Sequence, residues 1–140
     1  MFHGLSHVAI AVPDIEQAIR LYRDKLGISF GPVHENPHQK VRLAYADLGN
    51  AKLEIIEPVS EQSPLSAFLE RNPKGGLHHV AFNVGNLESA LAALANGGTR
   101  VVGTPGTSVH GHPIAFLHPA DLCGILVELE ESPTVQIDRS

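Results

Sequence analysis

The stretch LSHVAIAVPDIEQA, residues 5–18, returns 72 positions later as LHHVAFNVGNLESA, residues 77–90, without a gap. Seven of the 14 positions are identical: Leu5/Leu77, His7/His79, Val8/Val80, Ala9/Ala81, Val12/Val84, Glu16/Glu88 and Ala18/Ala90. A match of that density reads as an internal duplication. The downstream parts correspond more loosely, Leu43-Ala44-Tyr45 with Ile114-Ala115-Phe116 and Leu53-Glu54-Ile55 with Val127-Glu128-Leu129. Halves of roughly 55 residues are too small to be stable apart, so the 140 residues are expected to form one domain. Its parts are module one at 5–58, a linker helix within 59–76, module two at 77–131, and a loosely held tail at 132–140.

Each half opens with a strand. Residues 7–12 alternate His7, Ala9 and Ala11 on one face with Val8, Ile10 and Val12 on the other, and 79–84 repeat the pattern with His79, Ala81 and Asn83 against Val80, Phe82 and Val84. A helix follows each strand. Asp14 caps the first, with Gln17 as capping-box partner; Ile15, Ala18, Ile19, Tyr22 and Leu26 form its apolar stripe, and Gly27 closes it. Asn86 caps the second, which turns Leu87, Ala90, Leu91 and Leu94 inward and ends at Gly97-Gly98. The remaining periodicity predicts strands over 28–33, 41–48 and 52–57 in the first half, with Gly49-Asn50 as a turn, and over 99–102, 113–117 and 124–131 in the second. Each half is thus β-α-β-β-β. Ser63-Pro64 starts the linker helix, which stops before Pro73.

Composition narrows the function. With 43% apolar and 18% charged residues the chain is neither disordered nor a disulfide framework. Ten Lys+Arg against 15 Asp+Glu leave a formal charge of −5, a poor balance for general nucleic-acid binding. The lone Cys123 has no internal partner, which suits a reducing cytoplasm. No apolar run approaches the roughly 18 residues of a membrane span, and the opening MFHGLSHV lacks the basic and apolar regions of a signal peptide. A cytoplasmic protein is expected.

Nine histidines are the unusual feature. His7 and His79 each head a face that continues in small residues, leaving room for a ligand beside an imidazole. Alone, either would be a hydrogen-bonded core histidine; as a duplicated pair they can converge. Glu54 and Glu128 lie between branched apolar neighbours on the last strand of each half, 47 and 49 residues after their histidines. A carboxylate on an enclosed strand face is costly unless paired or metal-bound, whereas Glu57, Glu130 and Glu131 are expected to be solvated. Two imidazoles and two carboxylates suit a divalent ion such as Co, Mn, Ni, Zn or Fe, and leave two positions of an octahedral shell open to a substrate with two oxygens.

The paired βαβββ modules with His…Glu…His…Glu resemble the vicinal oxygen chelate superfamily, an α+β fold in which a half-open mixed sheet surrounds a metal site. HVAIAVPDIEQAIRLYRDKLG, LGNAKLEIIEPV, SPLSAFLERNPKGGLHHVAF and HGHPIAFLHPADLCGILVELE are similar to its methylmalonyl-CoA epimerase branch. The resemblance implies His7, Glu54, His79 and Glu128 as metal ligands, the second histidine of the His78-His79 doublet being the ligand. It also implies interconversion of R and S methylmalonyl-CoA by proton removal and return at the α-carbon, through a metal-stabilised enolate. Glu128 takes one proton-transfer role. Leu43 stands where some members carry a second glutamate, so Glu54, with a metal-bound water as the alternative, is the candidate for the other face. Lys40, where many members have glycine, is with Arg42, Arg71 and Lys74 a candidate for the coenzyme A phosphates, against the plainer reading of solvated surface charge. The segment 103–112 reads as a flap or a hairpin loop; His110, His112 and His118 lie outside the duplicated positions and read as loop or surface histidines. The resemblance implies an acyl-CoA substrate and a homodimer. The competing readings are a glyoxalase-type glutathione isomerase, an extradiol dioxygenase, for which Glu54 would fill a needed open position, and a metal-free drug-sequestering binding protein of the same fold.

Overall fold

The structure is a computed structural model that describes residues 1–132. The expected tail at 132–140 therefore lies, apart from Ser132, outside the described residues. The element order is β1 (Phe2–Ala11), α1 (Ile15–Leu26), β2 (His34–Asn36), β3 (Val41–Asp47), β4 (Lys52–Pro58), α2 (Pro64–Arg71), β5 (Gly76–Val84), α3 (Leu87–Asn96), β6 (Val101–Thr107), β7 (Pro113–Leu117) and β8 (Val127–Glu131). Around α2 the order βαβββ thus occurs twice. No helix among the described residues is long and apolar enough to cross a membrane.

The chain forms two compact units, His7–Val80 and Met1–Ser6 together with the described residues from Ala81 to Ser132. In the first unit the strand order is β2-β3-β4-β1-β5. The pairing of β1 with β4 is parallel and sets Ala9 beside Glu54, while β3 and β4 are antiparallel and set Tyr45 opposite Glu54. On the helix side Val12, Ile15, Ala18, Ala44 and Ile55 make a buried cluster, with Ile10, Ile19, Tyr22 and Phe30 packed on it. The periodicity of α1 explains its seat: its apolar residues recur every three or four positions and so form one stripe. Asp14 accepts from the Gln17 amide at its start, and Gly27 takes the left-handed turn (φ 68°) at its end. In the second unit the order β5-β8-β7-β6 repeats the first module's order. Val84, Leu87, Ala90, Ala115, Leu117, Val127 and Leu129 form its core.

Three expectations about strands need correction. Residues 28–33 are not a strand: Pro32 has no N–H to give a ladder, and the segment is held by Ile28 N–H to the Tyr22 carbonyl and Gly31 N–H to the Tyr45 carbonyl. The edge strand is instead the three-residue β2. The segment 103–112 is strand as far as Thr107. A bulge between Val102 and Gly106, where Gly103 adopts φ 65°, takes up the surplus residues, and the turn spans 108–112. Residues 124–126 are not strand either. A single 3-10 turn, Pro119–Asp121, capped by His118, is followed by positive φ at Cys123 (58°) and Gly124 (80°), so β8 starts at Val127.

The three glutamates expected in solvent are engaged. Glu57 accepts from the Ile15 amide (2.7 Å) and from Arg42, and Glu131 accepts from the Leu87 amide (2.9 Å). In each module, then, a carboxylate at the end of the last strand holds the exposed N–H groups of the first turn of its helix. Glu130 is buried, because strand alternation turns it to the same face as Glu128 while Leu129 enters the core. It accepts from Ser6 Oγ (2.8 Å) and from His112 Nδ1 (3.1 Å).

Two stability measurements check this packing. A Cβ on Gly75 would lie 2.6 Å from the Ala11 carbonyl oxygen, at a φ of +100°. Gly75→Ala should therefore cost about 2–3 kcal/mol in urea unfolding, and an unchanged midpoint would contradict that close approach. Glu130→Ala removes an acceptor from Ser6 and His112 and should cost about 1–3 kcal/mol, with Glu130→Gln losing less because an oxygen remains.

Candidate metal centre

The parallel register of β1 and β4 decides where the polar groups of the first unit meet. His7 shares a strand face with Ala9, whose partner is Glu54, and the first residues of β5 bring His79 to the same place. His7 Nε2 lies 3.2 Å from His79 Nε2; Glu54 Oε1 lies 3.5 Å from His79 Nε2 and 3.7 Å from His7 Nε2. The three residues are only 1%, 5% and 6% exposed for His7, Glu54 and His79. Tyr45, cross-strand from Glu54, sets its ring edge-on to His7 at 5.6 Å, and Lys52 places its ammonium over the Tyr45 ring. His79 turns its other nitrogen, Nδ1, to within 2.8 Å of His78 Nδ1; the His78 ring stands edge-on to Phe68 of α2.

Three ligand atoms of different residues lie within 4.8 Å of one another. Two imidazole nitrogens and a carboxylate oxygen, all shielded from water, are the donor types a divalent transition ion takes. With both Nε2 lone pairs turned to a common point, the imidazoles need either a shared proton or a cation between them. The donor set fits a divalent metal site.

Glu128 belongs to the other unit. It is 5% exposed and stands opposite Phe116 on β7, as Glu54 stands opposite Tyr45 on β3. Its carboxylate comes within 4.8 Å of that of Glu130. The equivalent of Glu130 in the first module is Ile56, paired with Leu43 as Glu130 is paired with Ile114. Leu43 is buried and carries no proton-transfer group.

Of the cationic candidates, Arg42 is already engaged. It donates to Glu16 and Glu57, and the bond to Glu16 holds the guanidinium above, and the Glu16 carboxyl below, their ordinary ranges. Lys40 donates to Gln62 and has φ 56°, the left-handed conformation that explains why glycine suits this position. Arg71 and Lys74 are exposed. Lys74 borders a cavity of about 450 Å³ on the helix side of the sheet, lined also by Ile10, Val12, Gln17, Leu21 and Leu77, on the opposite face from His7. Of the three histidines outside the duplication, His118 caps the 3-10 turn, His112 bonds Glu130, and His110 has its ring 6.4 Å from that of His112. His78 and Glu130 are the polar residues that the repeat pattern passes over. The signal for Glu130 was the i, i+2 spacing from Glu128.

Comparison with known proteins places the chain in a family. Residues 6–116 match the Glyoxalase/Bleomycin resistance protein/Dioxygenase superfamily. The chain is 44% identical over 133 residues to the ethylmalonyl-CoA/methylmalonyl-CoA epimerase of Cereibacter sphaeroides, covering 94% of this chain and 99% of that protein. Its fold superposes on the crystal structure of methylmalonyl-CoA epimerase from Mycobacterium tuberculosis with a TM-score of 0.87 at 31% identity, over 99% of this chain and 93% of that one. A structure of a methylmalonyl-CoA epimerase in complex with methylmalonyl-CoA and ammonium matches with a TM-score of 0.86 at 31% identity, over 94% and 96%. With a family model matched over most of the chain and an epimerase 44% identical over nearly its whole length, the chain belongs to the glyoxalase/bleomycin resistance protein/dioxygenase superfamily, in the family that holds the methylmalonyl-CoA epimerases.

Proposed function

We propose that this chain epimerises methylmalonyl-CoA at the carbon between thioester and carboxylate, with a divalent ion held by His7, Glu54, His79 and Glu128. The observation that carries the proposal is the buried His7–Glu54–His79 set in a chain 44% identical to an epimerase of this substrate class. Support for Glu128 as the fourth ligand comes from the repeat: it has the same strand position, register and burial as Glu54. When bound, the ion supplies a Lewis acid that draws negative charge onto the oxygens of the substrate.

The chain's own groups handle the proton. The carboxylate of Glu128 takes the α-proton, and the electron pair of the broken C–H bond moves toward the thioester oxygen. Glu54 is assigned to the opposite face, where, starting from its protonated form, it gives its proton to the same carbon and inverts it; Glu128 ends protonated and Glu54 ionised, the starting state for the reverse reaction, and no electrons are gained or lost. Leu43 offers no alternative there, and its buried side chain, like those of Ala9 and Ala11, keeps the strand face apolar and dry. Lys40, Arg71 and Lys74 are the exposed candidates left to meet coenzyme A phosphates, since Arg42 is held by two carboxylates whereas Lys40 donates only to the neutral Gln62.

The test is exchange of the α-proton of methylmalonyl-CoA in heavy water. With the metal-loaded protein the substrate should gain deuterium at its α-carbon, and chelation should stop that exchange. Turnover of the methylglyoxal–glutathione adduct with none of methylmalonyl-CoA would overturn the substrate, and failure to take up any divalent ion on titration would favour a binding protein. Glu128→Gln should slow exchange by about 10²- to 10⁴-fold, and exchange at the wild-type rate would remove Glu128 as the base. His7→Ala should abolish metal uptake while circular dichroism stays native.

A further inference from the structure

We propose that His78 is a positioning residue that selects the metal-binding tautomer of His79. The inference rests on the reading of His79 as a ligand and adds a residue to it. His79 turns Nε2 toward His7 Nε2 (3.2 Å) and Glu54 Oε1 (3.5 Å), so Nε2 is the nitrogen that must be bare to receive an ion. A neutral imidazole with a bare Nε2 carries its hydrogen on Nδ1, and that hydrogen needs an acceptor in a buried site. The atom 2.8 Å from His79 Nδ1 is the Nδ1 of His78. Acting as acceptor, His78 is itself protonated on Nε2, and the two tautomers are locked in sequence.

The fold holds His78 for this task. Adjacent residues on a strand point to opposite faces, so two neighbouring imidazoles do not meet by alternation alone. Here the His78 ring is set edge-on to Phe68 of α2 (5.1 Å, 90°) and near-perpendicular to His79 (5.1 Å, 80°). Phe68 in turn lies at ordinary van der Waals distance, 3.5 Å, from where a Cβ on Gly76 would stand, so the start of β5 packs beside the ring that steadies His78. Metal-bound histidines generally give their second N–H to an outer acceptor that fixes ring and tautomer, and removing such a partner weakens metal binding. The usual partner is a carboxylate or carbonyl; in this chain it is a second imidazole one residue away.

Two variants separate the acceptor from mere bulk. Asparagine carries its side-chain oxygen on Cγ, as imidazole carries Nδ1, so His78→Asn keeps an acceptor and His78→Leu removes it. In metal-free protein labelled with ¹⁵N-histidine, the wild type and His78→Asn should show His79 protonated on Nδ1, and His78→Leu should show Nε2 protonation. On Co(II) titration the dissociation constant should rise about 10- to 100-fold for His78→Leu and change less than about threefold for His78→Asn. The inference is overturned if His78→Leu keeps the Nδ1–H tautomer and wild-type affinity, or if His78→Asn behaves like His78→Leu while both retain a native circular dichroism spectrum. Wild-type protein that bound no Co(II) would overturn the metal site, while the nitrogen spectra would still decide the tautomer.

Discussion

Two imidazole nitrogens 3.2 Å apart with a carboxylate oxygen beside them, all out of contact with water, set the terms for the rest of the first unit. Each of these groups loses hydration on folding, and burial of a carboxylate is tolerable only with compensating partners. The structure provides them in layers. Strand β4 fixes Glu54 through parallel pairing with β1 and antiparallel pairing with β3, so the carboxylate cannot slip by one residue without turning to the helix side. Tyr45 closes one side of His7, and His78 engages the far nitrogen of His79. A site so constrained is preorganised for a cation rather than assembled by one.

Much of this was legible in the sequence because duplication converts weak signals into strong ones. A histidine at the head of a strand or a glutamate among branched residues says little once; the same pair recurring at 47 and 49 residues singled out His7, Glu54 and His79, which the structure brings together. The helices were readable for a local reason: Asp14, Ser63 and Asn86 each cap with a side-chain oxygen that accepts from a backbone amide of the first turn. Strand limits were less readable. The expected strand over 28–33 fails on Pro32, and the strand at 101–107 outlasts its apolar pattern because glycine at 103 lets a bulge re-enter the ladder. Such pairing depends on the neighbouring strand, which a linear pattern does not contain.

The glutamates near the ends of β4 and β8 show the same limit from another side. Glu57, Glu130 and Glu131 look alike in a hydropathy pattern, yet two of them hold helix amides and the third is buried against Ser6 and His112. What distinguishes them is whether a helix N-terminus or a loop histidine arrives from a distant part of the chain. Glu130 and His78 were passed over because the first repeat contains Ile56 and Ser6 in their places, so no echo in the sequence marked them.

That contrast orders the history of the molecule. The bond from Glu57 to the Ile15 amide has its counterpart in the bond from Glu131 to the Leu87 amide, at the same places in both repeats. A tether present in both copies was inherited from their common ancestor, and so were the histidine and glutamate that each copy carries. Features confined to one copy, the Glu130–His112 contact among them, mark where the two halves have diverged since the gene doubled.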